Sequence, residues 1–115
     1  MLIAIVEIPT GKKATKDEAI ARAKKSAPLY AGMRPKGLLR KDYLSGDEGG
    51  GGVYTWESRE AAEAWYTPEW YDWIEERLGA RPTLKMFDHY LTVDNVADEV
   101  RVEGVPITLE QEAAE

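Results

Sequence analysis

The aromatic residues of this 115-residue chain are the first candidates for chemistry. Four tryptophans and six tyrosines stand against a single phenylalanine. Tryptophan and tyrosine combine a large apolar ring with a polar group, so they suit half-polar ligand cavities and interfaces. We predict a substrate-binding wall for a flat aromatic or polycyclic molecule, built from Tyr54, Trp56, Trp65 and Trp70. An ordinary core with a dimer interface is the alternative interpretation of these residues.

His89 is the one histidine of the sequence. An imidazole titrates near neutral pH, which suits proton transfer, so we predict that His89 is the catalytic base. A structural histidine is the alternative. On a strand, Arg40 and Asp42 would share one face and Lys41 and Tyr43 the other. These charged residues would then pair with each other or orient a ligand carboxylate or phenolate.

The composition excludes several kinds of site. The chain has no cysteine, which excludes disulfides, thiolate metal sites and cysteine nucleophiles. One histidine cannot form a histidine pair for a metal, and none of the serines lies in a nucleophile-elbow sequence. We therefore predict neither a metal nor a cofactor. The run Gly49–Gly52 lacks the Gly-Lys-Ser/Thr of a phosphate loop, and we expect it to lie in a flexible hairpin loop over 45–52.

The charge pattern bears on partners. The net charge of −6 disfavours nucleic acid as a ligand, because phosphates would be repelled. Residues 1–41 carry 10 Lys/Arg against 3 Asp/Glu, whereas residues 42–115 carry 5 against 18. The two halves are either complementary surfaces, within one chain or across a dimer, or simply solvated faces. No apolar run approaches the roughly 18 residues of a membrane span, and no signal peptide is evident, so we expect a cytoplasmic protein without a membrane partner.

The elements that would position these residues follow the order strand, helix, strand, strand, helix, strand. A capping box starts at Thr15, and the first helix would kink or restart at Pro28. The second helix would begin after Ser58, break at Thr67 and end at Gly79. The expected strands cover residues 2–8, 38–44, 53–57 and 83–94, the last of which would carry His89.

This order predicts an α+β fold with a ferredoxin-like βαββαβ subunit and a four-stranded sheet. Two helical segments can cover only one face of such a sheet, so we predict a homodimer in which sheet faces sheet. We assign residues 1–95 to this domain. Residues 96–115 form a C-terminal arm or tail that would pack on the partner subunit, with a frayed terminus over 110–115 as the alternative.

Part of the sequence resembles a known family. The segment Gly51–Trp65 begins with Gly-Gly-Val-Tyr before a helix start, and Lys36–Lys41 and Lys85–Asp88 support the likeness. Together they resemble the YdhR-like monooxygenases of the dimeric α/β barrel superfamily, near the antibiotic-biosynthesis monooxygenases. The resemblance covers most of residues 1–95. It implies an antiparallel ferredoxin-like subunit, a dimeric α/β barrel and oxygen insertion into an electron-rich aromatic substrate without metal or flavin.

In that chemistry the anion of the substrate itself reduces oxygen, while the protein supplies a dry aromatic pocket and a base. Two other functions fit the same expected cavity. One is a non-oxidative enzyme, such as an isomerase or lyase, which would act without consuming oxygen. The other is a small-molecule-binding module without turnover, which would bind its ligand tightly and release no product.

Overall fold

Four strands form the main sheet of the protein, whose computed structural model describes residues 1–109. Their order across the sheet is β2-β3-β1-β4, and each neighbouring pair is antiparallel. β1 is therefore interior, in agreement with its apolar sequence. The predicted α+β class and the four-stranded antiparallel sheet are confirmed. The strands are β1 (Leu2–Ile8), β2 (Leu38–Gly46), β3 (Gly49–Trp56) and β4 (Thr83–Asp88).

The helices begin where the sequence predicts. The hydroxyl of Thr15 accepts from the Glu18 amide at 3.2 Å, and the Glu18 carboxylate accepts from the Thr15 amide at 3.3 Å, which completes the capping box. The side chains of Ser58 and Thr67 cap the two later helices in the same way. The helices are α1 (Lys16–Ala31), α2 (Arg59–Trp65) and α3 (Pro68–Leu78), with a short 3-10 helix at Arg34–Lys36.

The expected restart of α1 at Pro28 was wrong, because the helix continues through this residue to Ala31. Pro28 lies in the last turn of the helix. The donor that it lacks therefore affects one hydrogen bond near the end and leaves the preceding turns intact. None of the helices in residues 1–109 combines the length and the apolar character that crossing a bilayer requires.

Alternate residues of β1 define the two faces of the main sheet. Leu2, Ala4 and Val6 are buried against the helices, and Tyr54 and Trp56 lie on the same face because they pair with Ala4 and Leu2. Within residues 1–109 the other face carries no helix, and we call it the open face. Its apolar side chains are only partly covered, and Phe87 is 51% exposed; the set comprises Ile3, Ile5, Leu44, Val53 and Phe87.

The glycine run belongs to a strand, so the predicted hairpin loop over 45–52 was wrong. β2 continues to Gly46 and β3 already begins at Gly49, which leaves only Asp47 and Glu48 between them. Gly51 pairs with Glu7, and a Cβ built on Gly51 overlaps the carbonyl oxygen of Val6. Glycine is needed here because the backbones of β1 and β3 come too close for a side chain.

The expected strand over 83–94 was also wrong as a single element. β4 ends at Asp88, and His89 and Tyr90 lead into a second, three-stranded antiparallel sheet. The His89 amide still donates to the Met1 carbonyl at 2.9 Å, whereas the Tyr90 carbonyl accepts from the Glu103 amide at 2.7 Å. At this point the backbone thus leaves the main sheet and joins the second sheet. We call the second sheet the arm; its strands are β5 (Leu91–Asp94), β6 (Glu99–Val102) and β7 (Val105–Ile107).

Candidate functional site

A cluster of contacting aromatic rings fills the space between the main sheet and the helices. The rings of Tyr54 and Trp56 lie nearly parallel, with centroids 6.4 Å apart. Tyr66 meets both edge-on at 5.7 Å and contacts Trp70 at 4.8 Å. The indole Nε1–H of Trp56 donates to the Tyr66 hydroxyl at 3.1 Å, which satisfies a buried donor. Tyr66 therefore holds three of the four predicted wall residues together.

Tyr30, at the end of α1, connects the fourth predicted wall residue, Trp65, to the other three. Its ring lies 5.7 Å from Tyr54 and 6.1 Å from Trp65, both edge-on. All four predicted wall residues thus belong to one cluster, in which only Trp65 is partly exposed. Sequence reasoning missed Tyr30. The signal was present, because Tyr30 continues the helical spacing of Ala23 and Ala27 onto the buried side of α1.

Burial keeps the tyrosine hydroxyls of the cluster in their neutral form. Burial raises the pKa of the Tyr54 and Tyr66 hydroxyls far above the usual range of tyrosine, and it raises the pKa of Tyr30 as well. The indole N–H groups of Trp65 and Trp70 are buried and have no hydrogen-bond partner among residues 1–109.

Lys41, on β2, brings a cation to the cluster from the sheet. It pairs with Tyr54 across β2 and β3, so its side chain lies on the helix-facing side. The ammonium nitrogen is 3.4 Å from the ring centroid of Tyr30, 4.1 Å from that of Tyr43 and 4.7 Å from that of Tyr54. We call these three rings the tyrosine box.

Within the part of the chain that the structure describes, Lys41 has no acidic partner. Among the ion pairs within residues 1–109, none includes Lys41. Its neighbour Arg40 does pair, with its Nε 2.8 Å from a carboxylate oxygen of Asp42 on the other face of β2. Burial lowers the pKa of the Lys41 amine to about 7, with a smaller contribution from Arg77. Both protonation states are therefore populated near neutral pH.

A cavity of about 410 Å³ opens beside the tyrosine box, between the end of α1 and strand β2. We call it the α1–β2 cavity. Tyr30, Lys41 and Tyr43 line it, and the hydroxyl of Tyr43 is 2.7 Å from that of Ser26. None of the four predicted wall residues lines the cavity; Tyr54, the innermost ring of the tyrosine box, lies behind Tyr30.

A second cavity, also of about 410 Å³, lies at the glycine-rich end of the sheet. Its lining comes from the ends of β1, β2 and β3, including Glu7, Leu44 and the backbone of Gly49–Gly51. Glu7 and Leu44 are exposed, and the wall contains no aromatic ring. This cavity therefore offers little that would bind or activate a small aromatic molecule.

His89 lies outside both cavities. It stands in the break between β4 and β5 rather than on β4, where we had expected it. Its Nε2 is 2.8 Å from the hydroxyl of Thr92, and its Nδ1 is buried without a hydrogen-bond partner among the described residues. The catalytic role of His89 stays a prediction, but the histidine does not share the site of Lys41 and the tyrosine box.

Residues 1–109 contain no group of three or more histidine, aspartate and glutamate side chains placed to hold a metal ion. Comparison with known proteins adds no assignment, since neither a scan of protein-family models nor a search of curated proteins found a match to this chain. The resemblance to the YdhR-like family therefore stays a prediction.

Proposed function

We propose that the protein is a cofactor-independent, monooxygenase-like enzyme that binds an aromatic small molecule in the α1–β2 cavity. The observation that carries this proposal is the continuity between cavity and core: Tyr30 and Tyr43 are the aromatic residues of the cavity wall, and Tyr54 and Trp65 pack behind Tyr30. An aromatic ligand can contact these rings edge-on or in an offset stack.

The reaction that fits this site needs only the substrate and oxygen. Loss of a hydroxyl proton turns an electron-rich aromatic into an anion, which passes two electrons in successive steps to O₂ and forms a ring peroxide. Elimination of water from the peroxide leaves a quinone, so one phenol and one O₂ give one quinone and one water. The protein would supply orientation, a proton acceptor and a pocket of low polarity.

Oxygen uptake tests the proposal directly. We expect the purified protein, treated with a chelator and free of flavin, to consume oxygen with at least one member of a panel of hydroxylated naphthalenes and anthracenes. Product analysis in ¹⁸O₂ should show one labelled oxygen atom. A product without the label would indicate the isomerase or lyase alternative, and saturable binding without product would indicate a binding module.

His89→Ala tests the prediction that His89 is the catalytic base. If His89 is the base, the variant should keep its fold by circular dichroism and lose roughly 100-fold or more of the oxygen uptake, which is typical of a removed general base. Full activity in His89→Ala would exclude the histidine from the mechanism. The position of His89 outside the α1–β2 cavity makes this comparison decisive for where the reaction takes place.

We further propose that two such chains form a homodimer. The order β2-β3-β1-β4, with helices on one face, supports a ferredoxin-like subunit. The open face supports sheet-to-sheet association, because Ile3, Ile5 and Val53 lie in its centre, with Phe87 at its side. Two subunits joined in this way would form the dimeric α/β barrel of the family that the sequence resembles.

The arm supports the same assembly. Cross-strand pairing places six apolar side chains, and no polar one, on a single face of its sheet: Leu91, Val93, Val100, Val102, Val105 and Ile107. This face is poorly covered within one chain, since Val93 is 61% and Val105 is 63% exposed. We propose that it packs on the partner subunit, whereas residues 110–115 lie outside the described residues.

A pair of neighbouring substitutions tests the role of the arm. Val105 lies on the apolar face and Pro106 on the opposite one, so Val105→Asp and Pro106→Asp add the same charge to different sides of β7. Burial of one valine contributes about 1.5–3 kcal/mol, so Val105→Asp should raise the dimer dissociation constant at least about 10-fold. Pro106→Asp should leave it unchanged. Sedimentation equilibrium measures both, and a wild-type monomer at micromolar concentration would contradict the dimer itself.

A further inference from the structure

The surroundings of Lys41 are unusual for a lysine. Its amine is enclosed by three tyrosine rings and has no carboxylate partner among residues 1–109, yet it lines the mouth of the α1–β2 cavity. A half-buried cation without a counterion is costly, because the low polarity around it disfavours its charge. A ligand that brings a negative oxygen to this point would remove that cost.

We infer that Lys41 is the group that binds and ionises the substrate, and that the substrate is a phenol whose hydroxyl oxygen meets the Lys41 amine while its ring contacts the tyrosine box. This inference rests on the proposed function and assigns the proton acceptor to Lys41, in place of the predicted base His89, which lies outside the α1–β2 cavity. A phenol fits better than an aliphatic acid because the cavity wall offers aromatic faces beside the amine.

The proton balance of the step is simple. The neutral amine of Lys41 accepts the hydroxyl proton of the phenol, so an ammonium and a phenolate form together and the total charge of the site does not change. The new ammonium stays next to the phenolate oxygen, and their attraction is stronger than in bulk water because Lys41 is half-buried. The pKa of about 7 allows this, since a sizeable share of Lys41 is uncharged at neutral pH.

The other cations of the cavity do not offer this chemistry. Arg40 is paired with Asp42, and Arg34 lies 3.4 Å from the carboxylate of Glu57. A guanidinium does not release its proton at any pH that the protein tolerates, so neither arginine can act as a base. Lys36, the nearest comparable lysine, is exposed and lies 5.5 Å from the ring of Trp65.

A chromogenic phenol separates binding from turnover. We use 4-nitrophenol, whose phenolate is yellow and whose neutral form is colourless, in anaerobic buffer at a pH where most of the free probe is neutral. We expect the wild-type protein to bind it saturably and to turn it yellow, with the apparent pKa of the bound probe lowered by at least about one unit. That shift corresponds to a tenfold preference for the phenolate over the phenol.

Lys41→Met should abolish the colour change and weaken binding at least about 10-fold, whereas the matched variant Lys36→Met should behave like the wild type. Methionine preserves the length of the side chain and removes a half-buried charge, so the variant should fold. Tyr43→Leu provides a second variant, which should weaken binding several-fold while the bound probe still ionises. Failure of the wild type to bind the probe at millimolar concentration, or an unchanged colour response in Lys41→Met, would overturn the inference.

The same experiment distinguishes the two proposals. Suppose that the bound probe ionises only when Lys41 is present, but that the protein consumes no oxygen with any phenol of the panel. This result would support the phenolate-binding site and reject the monooxygenase activity. Oxygen uptake that persists in Lys41→Met would reject the role of Lys41 and leave the proposed function in place.

Discussion

Replacing Trp56 by alanine is expected to destabilise the protein by about 3–5 kcal/mol. Trp56 is completely buried, stacks on Tyr54 and donates its indole N–H to the hydroxyl of Tyr66. The substitution removes the ring contacts, leaves a large cavity and deprives the Tyr66 hydroxyl of its partner. Since single domains are stable by only about 5–15 kcal/mol, much of the stability would be lost.

Urea unfolding followed by far-ultraviolet circular dichroism measures this loss without relying on tryptophan fluorescence. Trp73→Ala is the matched control, because Trp73 is only half-buried and packs at the edge of the core, where Arg77 lies 4.5 Å from its ring. We expect Trp73→Ala to lower the free energy of unfolding by clearly less than Trp56→Ala does. A loss below about 1 kcal/mol for Trp56→Ala would contradict the central position of this ring in the core.

Replacing Gly51 by alanine is expected to cost at least about 2–3 kcal/mol, although the change adds a single methyl group. A Cβ at this position overlaps the carbonyl oxygen of Val6, which belongs to the interior strand β1. The added atom cannot turn away as a flexible side chain would, so β1 and β3 must separate locally. Hydrogen bonds between the two strands that organise the main sheet would then lengthen or break.

Gly32→Ala is the control for this prediction. A Cβ on Gly32 would lie 3.6 Å from the nearest atom, the carbonyl oxygen of Leu29, which is an ordinary contact. We expect an effect within about 0.5 kcal/mol there. If Gly51→Ala were as stable as Gly32→Ala in thermal and urea unfolding, the close approach of β1 and β3 would be refuted.

The local signals in the sequence predict the helix boundaries well, because a cap depends only on residues within one turn. The capping box at Thr15, the cap at Thr67 before Pro68 and the stop at Gly79, whose φ is +82°, were all readable in this way. The burial of Leu2 and Val6 followed from the apolar run of β1. These features need no knowledge of distant parts of the chain.

The errors arose where distant residues decide the structure. A run of glycines has low strand propensity, and pairing with β2 on one side and β1 on the other keeps Gly49–Gly52 extended. Likewise, the alternation of apolar residues continues past Asp88, so nothing local marks the end of β4. The change of direction at His89 and Tyr90 depends on backbone hydrogen bonds to Met1 and Glu103, which sequence spacing does not reveal.

The candidate site was predictable in composition but not in detail. The excess of tryptophan and tyrosine indicated an aromatic cluster, and Trp56 and Trp70 do contribute to it. Alternation along β2 correctly separated Lys41 from Arg40. What the sequence could not provide was the position of Tyr30 above β2, because the packing of α1 on the sheet is a tertiary property.

The turns of the arm have a consequence for how the protein behaves in solution. Both turns carry acidic side chains, Asp98 between β5 and β6 and Glu103 between β6 and β7. Negative charge of this kind keeps exposed strand edges of neighbouring molecules apart and discourages indiscriminate stacking into aggregates. Dissolved ions screen this repulsion. The protein, whose net charge is −6, should therefore precipitate more readily in concentrated salt than in dilute buffer.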